Sequence, residues 1–378
     1  MALNRLLLFN FRNHTALNLS FPKRISIFSG SNGVGKTSIL EAVSILGSTR
    51  SFRAGKNEDF ILRGMDYSSL NADVDSDGLK NSVRVDIFST GKKLYIDEKH
   101  FRRIQNPVHG LASIVFSPGD HYIIEGDASE RRLFLNRAIA NIDPGYSDAL
   151  SRYNKTLQQR NSLLKKLHKS GISVKSAANH LLIWDEQLIE LGVSLLLQRK
   201  AYIEALAPRV KEEYRRIAKK DDDFDLKYLP FSEEEFHFGA ENFMEEVQSF
   251  FVTSLAANIG RDLILQSTSI GPHRDEIQLI LNANKVKFYA SQGERRTCAL
   301  ALRLGEVSLF RKIRKKAPIL LMDDISSELD SVRRKALVEL LQQEDSQVLL
   351  TATELPTDLL RDAGEAFFHS NLEQIREV

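Results

Sequence analysis

The sequence predicts an α/β protein whose alternation of strands and helices is split by a helical insertion. Three observations carry that reading. An apolar segment ending at Ser29 runs into a glycine turn and then a helical segment, the opening of a strand-to-helix unit. A second apolar segment, residues 319–322, ends in adjacent carboxylates. Between them, residues 129–220 change to long helical stretches rich in Leu, Lys, Arg, Glu and Gln.

The chain has 378 residues, of which 42% are hydrophobic, with 52 Lys and Arg against 50 Asp and Glu. These values exclude disordered and fibrous classes. A formal charge of +2 gives no bulk argument for nucleic acid, so such a partner must rest on local clusters. Cys298 is the sole cysteine, which excludes an internal disulfide or a CxxC metal or redox pair. A reducing, cytoplasmic setting is therefore expected. Arg5, Asn10 and Arg12 interrupt the N-terminal apolar stretch, and no run of 18 apolar residues occurs, so no membrane association is expected.

Along the chain, strands are predicted at residues 4–11, 16–21, 24–29, 83–88, 93–96 and 112–116. The helix at 37–46 places Ile39, Leu40, Val43 and Leu46 at helical spacing, with Gly47 as its left-handed cap. Asp143 and Pro144 predict the N-cap and first turn of a later helix. Beyond it, Trp184, Leu188, Leu191, Leu195, Gln198 and Tyr202 are spaced 4, 3, 4, 3 and 4, a short coiled-coil-like seam. A helix over 181–219 would be about 55–60 Å long, which fits either a projecting antiparallel arm or a compact bundle. A hairpin of 276–281 with 285–290 follows, then a helix over 292–315 and the strand 319–322. A helix over 331–341 and strands at 347–351 and 366–369 complete the pattern. The expected domains are a head from 1–128 and 260–378, interrupted by a mainly helical insertion over 129–259.

Gly30, Ser31, Asn32, Gly33, Val34, Gly35, Lys36 and Thr37 match GxxxxGK[ST]. Glycines let successive N–H groups turn inward around a phosphate, Lys36 neutralises its charge, and the Thr37 hydroxyl can ligate Mg²⁺. A chance match in a chain of this length is roughly a one-in-a-hundred event. The same glycines fail GxGxxG, because Ser38 stands at its last position. Asp323 then falls at the C-terminal edge of a sheet, where it can complete the Mg²⁺ shell, and Asp324 can orient an attacking water. Two adjacent Asp alone read as a solvated turn; with a phosphate loop in the same chain they read as a nucleotide site. Ser291, Gln292, Gly293 and Glu294 form a capping box at a helix start that can also receive an anion, including a γ-phosphate held by a second subunit.

The serine-glycine helix start lies 30 residues before Asp323, and Ser327, Glu328, Leu329 and Asp330 follow as a D-loop. This arrangement is similar to the ABC ATPase heads of the structural maintenance of chromosomes (SMC) type. Within that class the chain resembles the RecF family of bacterial recombinational repair ATPases. The matching residues include Asn10-Phe11-Arg12-Asn13, Ser51-Phe52-Arg53, Phe116-Ser117-Pro118, Glu130-Arg131-Arg132, Arg160-Asn161 and Gly271-Pro272-His273-Arg274-Asp275. The resemblance implies ATP and Mg²⁺ as cofactors, an ATP-dependent homodimer, and binding to single-stranded or gapped DNA. It also implies work with RecR and RecO to place RecA, in replication, repair and SOS induction, by a weak DNA-stimulated ATPase. Lys36, Asp323 and Asp324 would carry the chemistry, with Thr37 and Asp323 on the metal and residues 291–294 contributed across the dimer.

The chain departs from the family pattern at several positions. Glu294 stands where Gln is usual, Gly119 and Asn136 replace acids, and Thr351-Ala352-Thr353 occupies the switch position without a histidine. That absence implies slow turnover, a switch rather than a motor. A scaffold that binds ATP without turnover is the alternative, and a transporter's nucleotide-binding subunit is disfavoured by the insertion. His273-Arg274-Asp275 fails a kinase catalytic loop because Ile280 stands where Asn is required, and reads as a structural turn with an Arg-Asp pair. Arg311, Lys312, Arg314, Lys315 and Lys316 suit either a helix C-terminus or a phosphate-contacting patch, and Arg53, Arg102, Arg103, Arg215, Arg216, Lys219 and Lys220 are candidates of similar rank.

Overall fold

The computed structural model describes residues 2–53, 55–76, 78–101, 111–231, 243–324, 330–343, 345–353 and 367–371. Residues 327–329 of the D-loop, together with Arg102 and Arg103, lie outside the described residues. The chain separates into two compact units: Met1–His121 with Arg209–Asp222 and Ser291–Val378, and Tyr122–Pro208 with Asp223–Ala290.

In the first unit, a six-stranded antiparallel sheet has the order β2-β1-β4-β5-β6-β7. Its strands are β1 (Ala2–Phe11), β2 (His14–Ser20), β4 (Tyr67–Ser76), β5 (Leu79–Phe88), β6 (Gly91–Ile96) and β7 (Lys99–Phe101). A five-stranded parallel sheet has the order β14-β3-β13-β12-β8. It contains β3 (Ile25–Ser29), β8 (Ser113–Phe116), β12 (Ile319–Asp323), β13 (Val348–Ala352) and β14 (Phe367–Asn371). Strands β3, β12 and β13 are buried at all five positions, as central strands of a parallel sheet covered on both faces should be.

Helix α1 (Lys36–Ser48) contacts both sheets, and its Ile39, Leu40, Val43 and Ile45 join their side chains in one core. A helix buried on all sides needs no polar face. It runs one residue past Gly47, and the left-handed cap is Thr49 at φ 55°, whose N–H donates to the Ile45 carbonyl. Gly47 has a different use: a Cβ there would lie 2.3 Å from the Leu111 carbonyl oxygen, so the glycine lets backbone pass over the helix.

The second unit begins with the short α2 (His121–Glu125), which straddles its boundary, and continues with α3 (Ala128–Ile142), α4 (Pro144–Lys169) and the N-terminal part of α5 (Val174–Ala218). Asp143 caps α4 by accepting from Gly145 N–H, with Pro144 in the first turn as predicted. The contacts Tyr146 to Arg199, Thr156 to Gln187 and Arg160 to Asp185 advance along α4 as they retreat along α5, so the two helices form an antiparallel pair. Helices α6 (Phe243–Ala257) and α7 (Ile259–Leu265) belong to the same unit. Ile259 and Leu263 of α7 pack with Leu164, Leu167, Ala177 and Leu181 at the far end of the pair.

Residues 276–281 form β10 (Glu276–Leu281), which pairs antiparallel with β9 (Phe224–Leu229) in this second unit. The predicted return strand over 285–290 is shorter: β11 (Asn284–Lys285) passes into one helical turn, α8 (Val286–Tyr289). Helix α9 (Gln292–Arg314) and the helix Ser331–Gln343 belong to the first unit.

Candidate nucleotide site

Strand β3 delivers the chain to Gly30, and the loop closes at Gly35, the N-cap of α1. Gly30, Gly33 and Gly35 have φ of 144°, 89° and 104°, a region that L side chains rarely enter. At Gly35 a side chain would also have to displace its neighbours: a Cβ would lie 2.3 Å from His14 Nε2 and 2.7 Å from Asn13 Oδ1. These two residues brace the loop, Asn13 donating to the Gly33 carbonyl at 2.9 Å and His14 Nε2 meeting the Gly35 carbonyl at 3.2 Å. Lys36 folds its ammonium over the loop and donates to the carbonyls of Gly30 and Ser31 at 2.6 and 3.0 Å.

Thr37 and Asp323 meet. The Thr37 hydroxyl donates to Asp323 Oδ1 at 2.7 Å, and the Thr351 hydroxyl donates to the same oxygen at 2.8 Å. Parallel pairing of β12 with β13 puts Asp323 beside Thr351, so the carboxylate and its second hydroxyl are aligned by sheet register. Asp324 leaves the strand in the left-handed region at φ 46°, which a short polar side chain tolerates, and its N–H donates to the Thr351 carbonyl and hydroxyl. Thr351, noted in the sequence only as the residue standing where a histidine is usual, thus holds both carboxylate residues.

A Mg²⁺ ion fits this donor set. The ion favours hard oxygen ligands and is ordinarily held by one or two protein groups plus substrate phosphates and water, which a hydroxyl and a carboxylate 2.7 Å apart can supply. Among the described residues no group of three or more His, Cys, Asp or Glu is placed to hold a metal without such help.

Behind the loop, Arg12 clamps Glu41 of α1 with two hydrogen bonds of 2.8 Å and lies over the Phe60 ring. Ser51 donates to the same carboxylate. Glu41 is fully buried, so this pairing compensates a charge otherwise costly in that core. The Asn10 to Asn13 and Ser51 to Arg53 segments therefore converge behind the phosphate loop.

The Ser291 turn is held by other groups. Ser291 accepts from Glu294 N–H, and Glu294 Oε2 accepts from the Ser291 N–H and hydroxyl at 2.8 Å. Those bonds hold the Glu294 carboxyl below its ordinary pKa. Gly293 is exposed, and a Cβ on it would come no closer than 3.5 Å to Arg333, so packing within the chain does not demand glycine there. Arg333 donates to the Gly293 carbonyl, to Thr297 Oγ1 at 2.8 Å and to Asp330, joining the end of the D-loop to the start of α9.

Other predicted residues have structural partners. Asp275 is fully buried, but its cation is Arg199 at 2.5 Å rather than the adjacent Arg274, with Tyr228 and Phe231 N–H completing its shell. Asn136 accepts from Tyr146 and Arg199. Near Gly119 the carboxylate comes from Asp120, which pairs with Arg303 at 2.8 Å. Of the basic candidates, Arg215 pairs with Asp221, Arg216 with Glu213 and Glu339, and Arg311 lies 3.9 Å from Asp345.

A parallel sheet carrying a phosphate loop, an acidic strand end beside it and a serine-glycine helix start define an ATPase head of the ABC/SMC type. Residues 2–368 match the family described as RecF/RecN/SMC N terminal domain. The sequence is 34% identical over 355 residues to the DNA replication and repair protein RecF of Geotalea daltonii, covering 94% of each chain. It aligns at TM-score 0.85 and 29% identity with a structure of the recombination mediator protein RecF-ATPrS in the RecFOR pathway, over 98% of this chain and 96% of that one. An Smc head bound to the C-winged helix domain of ScpA aligns at TM-score 0.52 and 16% identity over the full length of both, a likeness of fold alone. The chain belongs to the RecF family of DNA replication and repair proteins. No helix among the described residues is long and apolar enough to cross a membrane.

Proposed function

We propose that this chain binds ATP with Mg²⁺ at residues 30–37 and Asp323, dimerises head to head around the nucleotide, and engages single-stranded or gapped DNA to support RecA loading with RecR and RecO. The observation that carries it is the meeting of Thr37, Asp323 and Thr351 at the end of the phosphate loop. Gly30, Ser31, Asn32, Gly33, Val34 and Gly35 would wrap the phosphates with backbone N–H groups, and Lys36 would neutralise their charge. Bound Mg²⁺ would supply charge neutralisation of the phosphates. Asp324 would orient the water for hydrolysis.

Ser291, Gln292, Gly293 and Glu294 would serve the γ-phosphate of the opposing subunit. Gly293 supports this role because it is exposed and unneeded by the packing of its own chain. Turnover would be slow, because Thr351 stands at the switch position and already donates its hydroxyl to Asp323.

Ultracentrifugation at micromolar protein tests the assembly. A dimer with ATP and a monomer without it is expected, and a monomer in both cases would defeat the reading. Single-turnover phosphate release, with and without DNA, separates a slow ATPase from a scaffold that never hydrolyses.

A further inference from the structure

Residues 149–184 contain seven Lys and Arg and no Asp or Glu. The whole chain carries +2, so this segment's +7 is balanced by a net −5 elsewhere. The segment builds the distal half of α4 and the start of α5. Two acids that pack against it are turned inward: Asp262 is fully buried and Asp185 is partly buried, pairing with the buried Arg160 at 2.7 and 2.6 Å respectively, while Glu186 and Glu190 of α5 are exposed.

The outward charges form a row. Arg152, Lys155, Gln159, Ser162, Lys166 and Lys169 recur at spacings of 3, 4, 3, 4 and 3, and all six are exposed. Tyr153, Thr156, Arg160, Leu164 and Leu167 are the buried residues over the same stretch. At 1.5 Å per residue the row is about 25 Å long, the axial length of roughly seven base pairs of duplex. Among the described residues no ion pair engages Arg152, Lys155, Lys166 or Lys169, in contrast with Arg215, Arg216 and Arg311.

Favourable interaction with the helix dipole accounts for Lys166 and Lys169 in the last turns, but its reach is about one turn. Arg152 and Lys155 lie in the N-terminal half of α4, where that interaction does not favour a cation. Helix α4 itself exposes no large apolar side chain, so the row of cations has no apolar residue interleaved with it. Val174, Leu182 and Ile183 of α5 are exposed, and vesicle binding measures whether they make a membrane surface. Cations alternating with hydrogen-bonding Gln and Ser, with no acid between them, suit a line of phosphates.

We infer that this face of α4 is a nucleic-acid backbone track, reading charge and spacing but not sequence. The inference rests on the DNA-binding reading above and locates a contact surface within the helical unit.

The test is anisotropy of labelled gapped duplex with the full chain and ATP, titrated across salt concentrations. The fourfold variant R152Q/K155Q/K166Q/K169Q is expected to bind on the order of 100-fold more weakly at low salt, with the slope of log affinity against log salt reduced by about 3–4. ATP affinity and melting temperature should stay at their wild-type values. The charge-preserving variant R152K/K155R/K166R/K169R should bind as wild type. Wild-type affinity and slope in the glutamine variant would overturn the track while leaving the head's DNA binding standing. A wild-type chain that binds ATP and no DNA would overturn both. Lost binding to phosphatidylglycerol vesicles with unchanged DNA binding would overturn the track in favour of a membrane surface.

Discussion

Thr37 and Asp323 are 286 residues apart in the chain and 2.7 Å apart in the fold, joined by a hydroxyl-to-carboxylate hydrogen bond. One residue lies in the first turn of α1 and the other ends β12, so the bond closes the candidate nucleotide site with groups from distant parts of the sequence. Removing either partner should weaken Mg²⁺-dependent ATP binding more than metal-free binding. Asp323→Ala and Thr37→Val are each expected to lower affinity in Mg²⁺ by about tenfold or more, with a smaller loss in chelator. Calorimetric titration in both buffers measures the difference; equal losses in the two would remove the metal role.

Gly35→Ala should damage the loop itself. The site combines φ 104° with a Cβ position 2.3 Å from His14 Nε2. Left-handed strain alone costs about 1–2 kcal/mol, and displacement of His14 adds to it. A fall in melting temperature together with loss of ATP binding is expected, whereas His14→Ala should weaken ATP binding with a smaller loss of stability. Normal ATP affinity in Gly35→Ala would show that the loop tolerates a side chain.

Arg333→Ala should uncouple dimerisation from nucleotide binding. Arg333 ties Gly293 and Thr297 to Asp330, so its loss frees the Ser291 turn from the D-loop end. ATP affinity of the isolated subunit is expected to stay within about twofold, while the ATP-dependent dimer weakens by about tenfold or more, a loss of roughly 1.4 kcal/mol. Sedimentation at several protein concentrations reads this directly. Lys36→Arg, in contrast, should abolish the ATP effect at its source, and Asp324→Asn should bind ATP and remain dimeric.

Acid should destabilise the helical unit through His273. Burial holds this imidazole at about 4, and its ring nitrogens meet the Tyr153 hydroxyl and the Thr268 carbonyl. Between pH 6.5 and 4 the unfolded chain binds the proton and the folded one does not. Stability from this group is therefore present above pH 6.5 and lost as pH falls, by about 3 kcal/mol near pH 4. Urea unfolding of wild type and His273→Gln across that range should show their stabilities converging as pH drops. A constant difference would place the acid sensitivity elsewhere.

The phosphate loop was legible because its chemistry is contiguous: three glycines, a lysine and a threonine must be neighbours to wrap a phosphate. The buried strand β12 was legible for a similar reason, since the continuous apolar run over residues 319–322 needs no partner to be recognised. Strand β4 was not. Its Leu70, Ala72 and Val74 alternate with Ser, Asn and Asp, a weak strand former that is stabilised by pairing with β1 on one side and β5 on the other. The left-handed cap of α1 also escaped, because Gly47 reads locally as a terminator while its need for glycine comes from Leu111.

The sequence by itself determined the fold class, the glycine loop with its lysine and threonine, and the long helices after residue 128, since each depends on spacing within a few turns of chain. Only the tertiary structure decided which distant groups close on them. Thr351 reached Asp323 through sheet register, Arg12 found Glu41, Asp275 took Arg199 rather than its neighbour Arg274, and Arg333 bound the Ser291 turn to Asp330. Buried charges require partners wherever the chain can bring them, and that choice is made by packing, not by proximity in sequence. The same distinction separates the basic clusters: Arg215 and Arg216 are close in sequence but neutralised by acids folded beside them, while Asp185 and Asp262 beside α4 are taken by the buried Arg160 and leave the outward cations in a row.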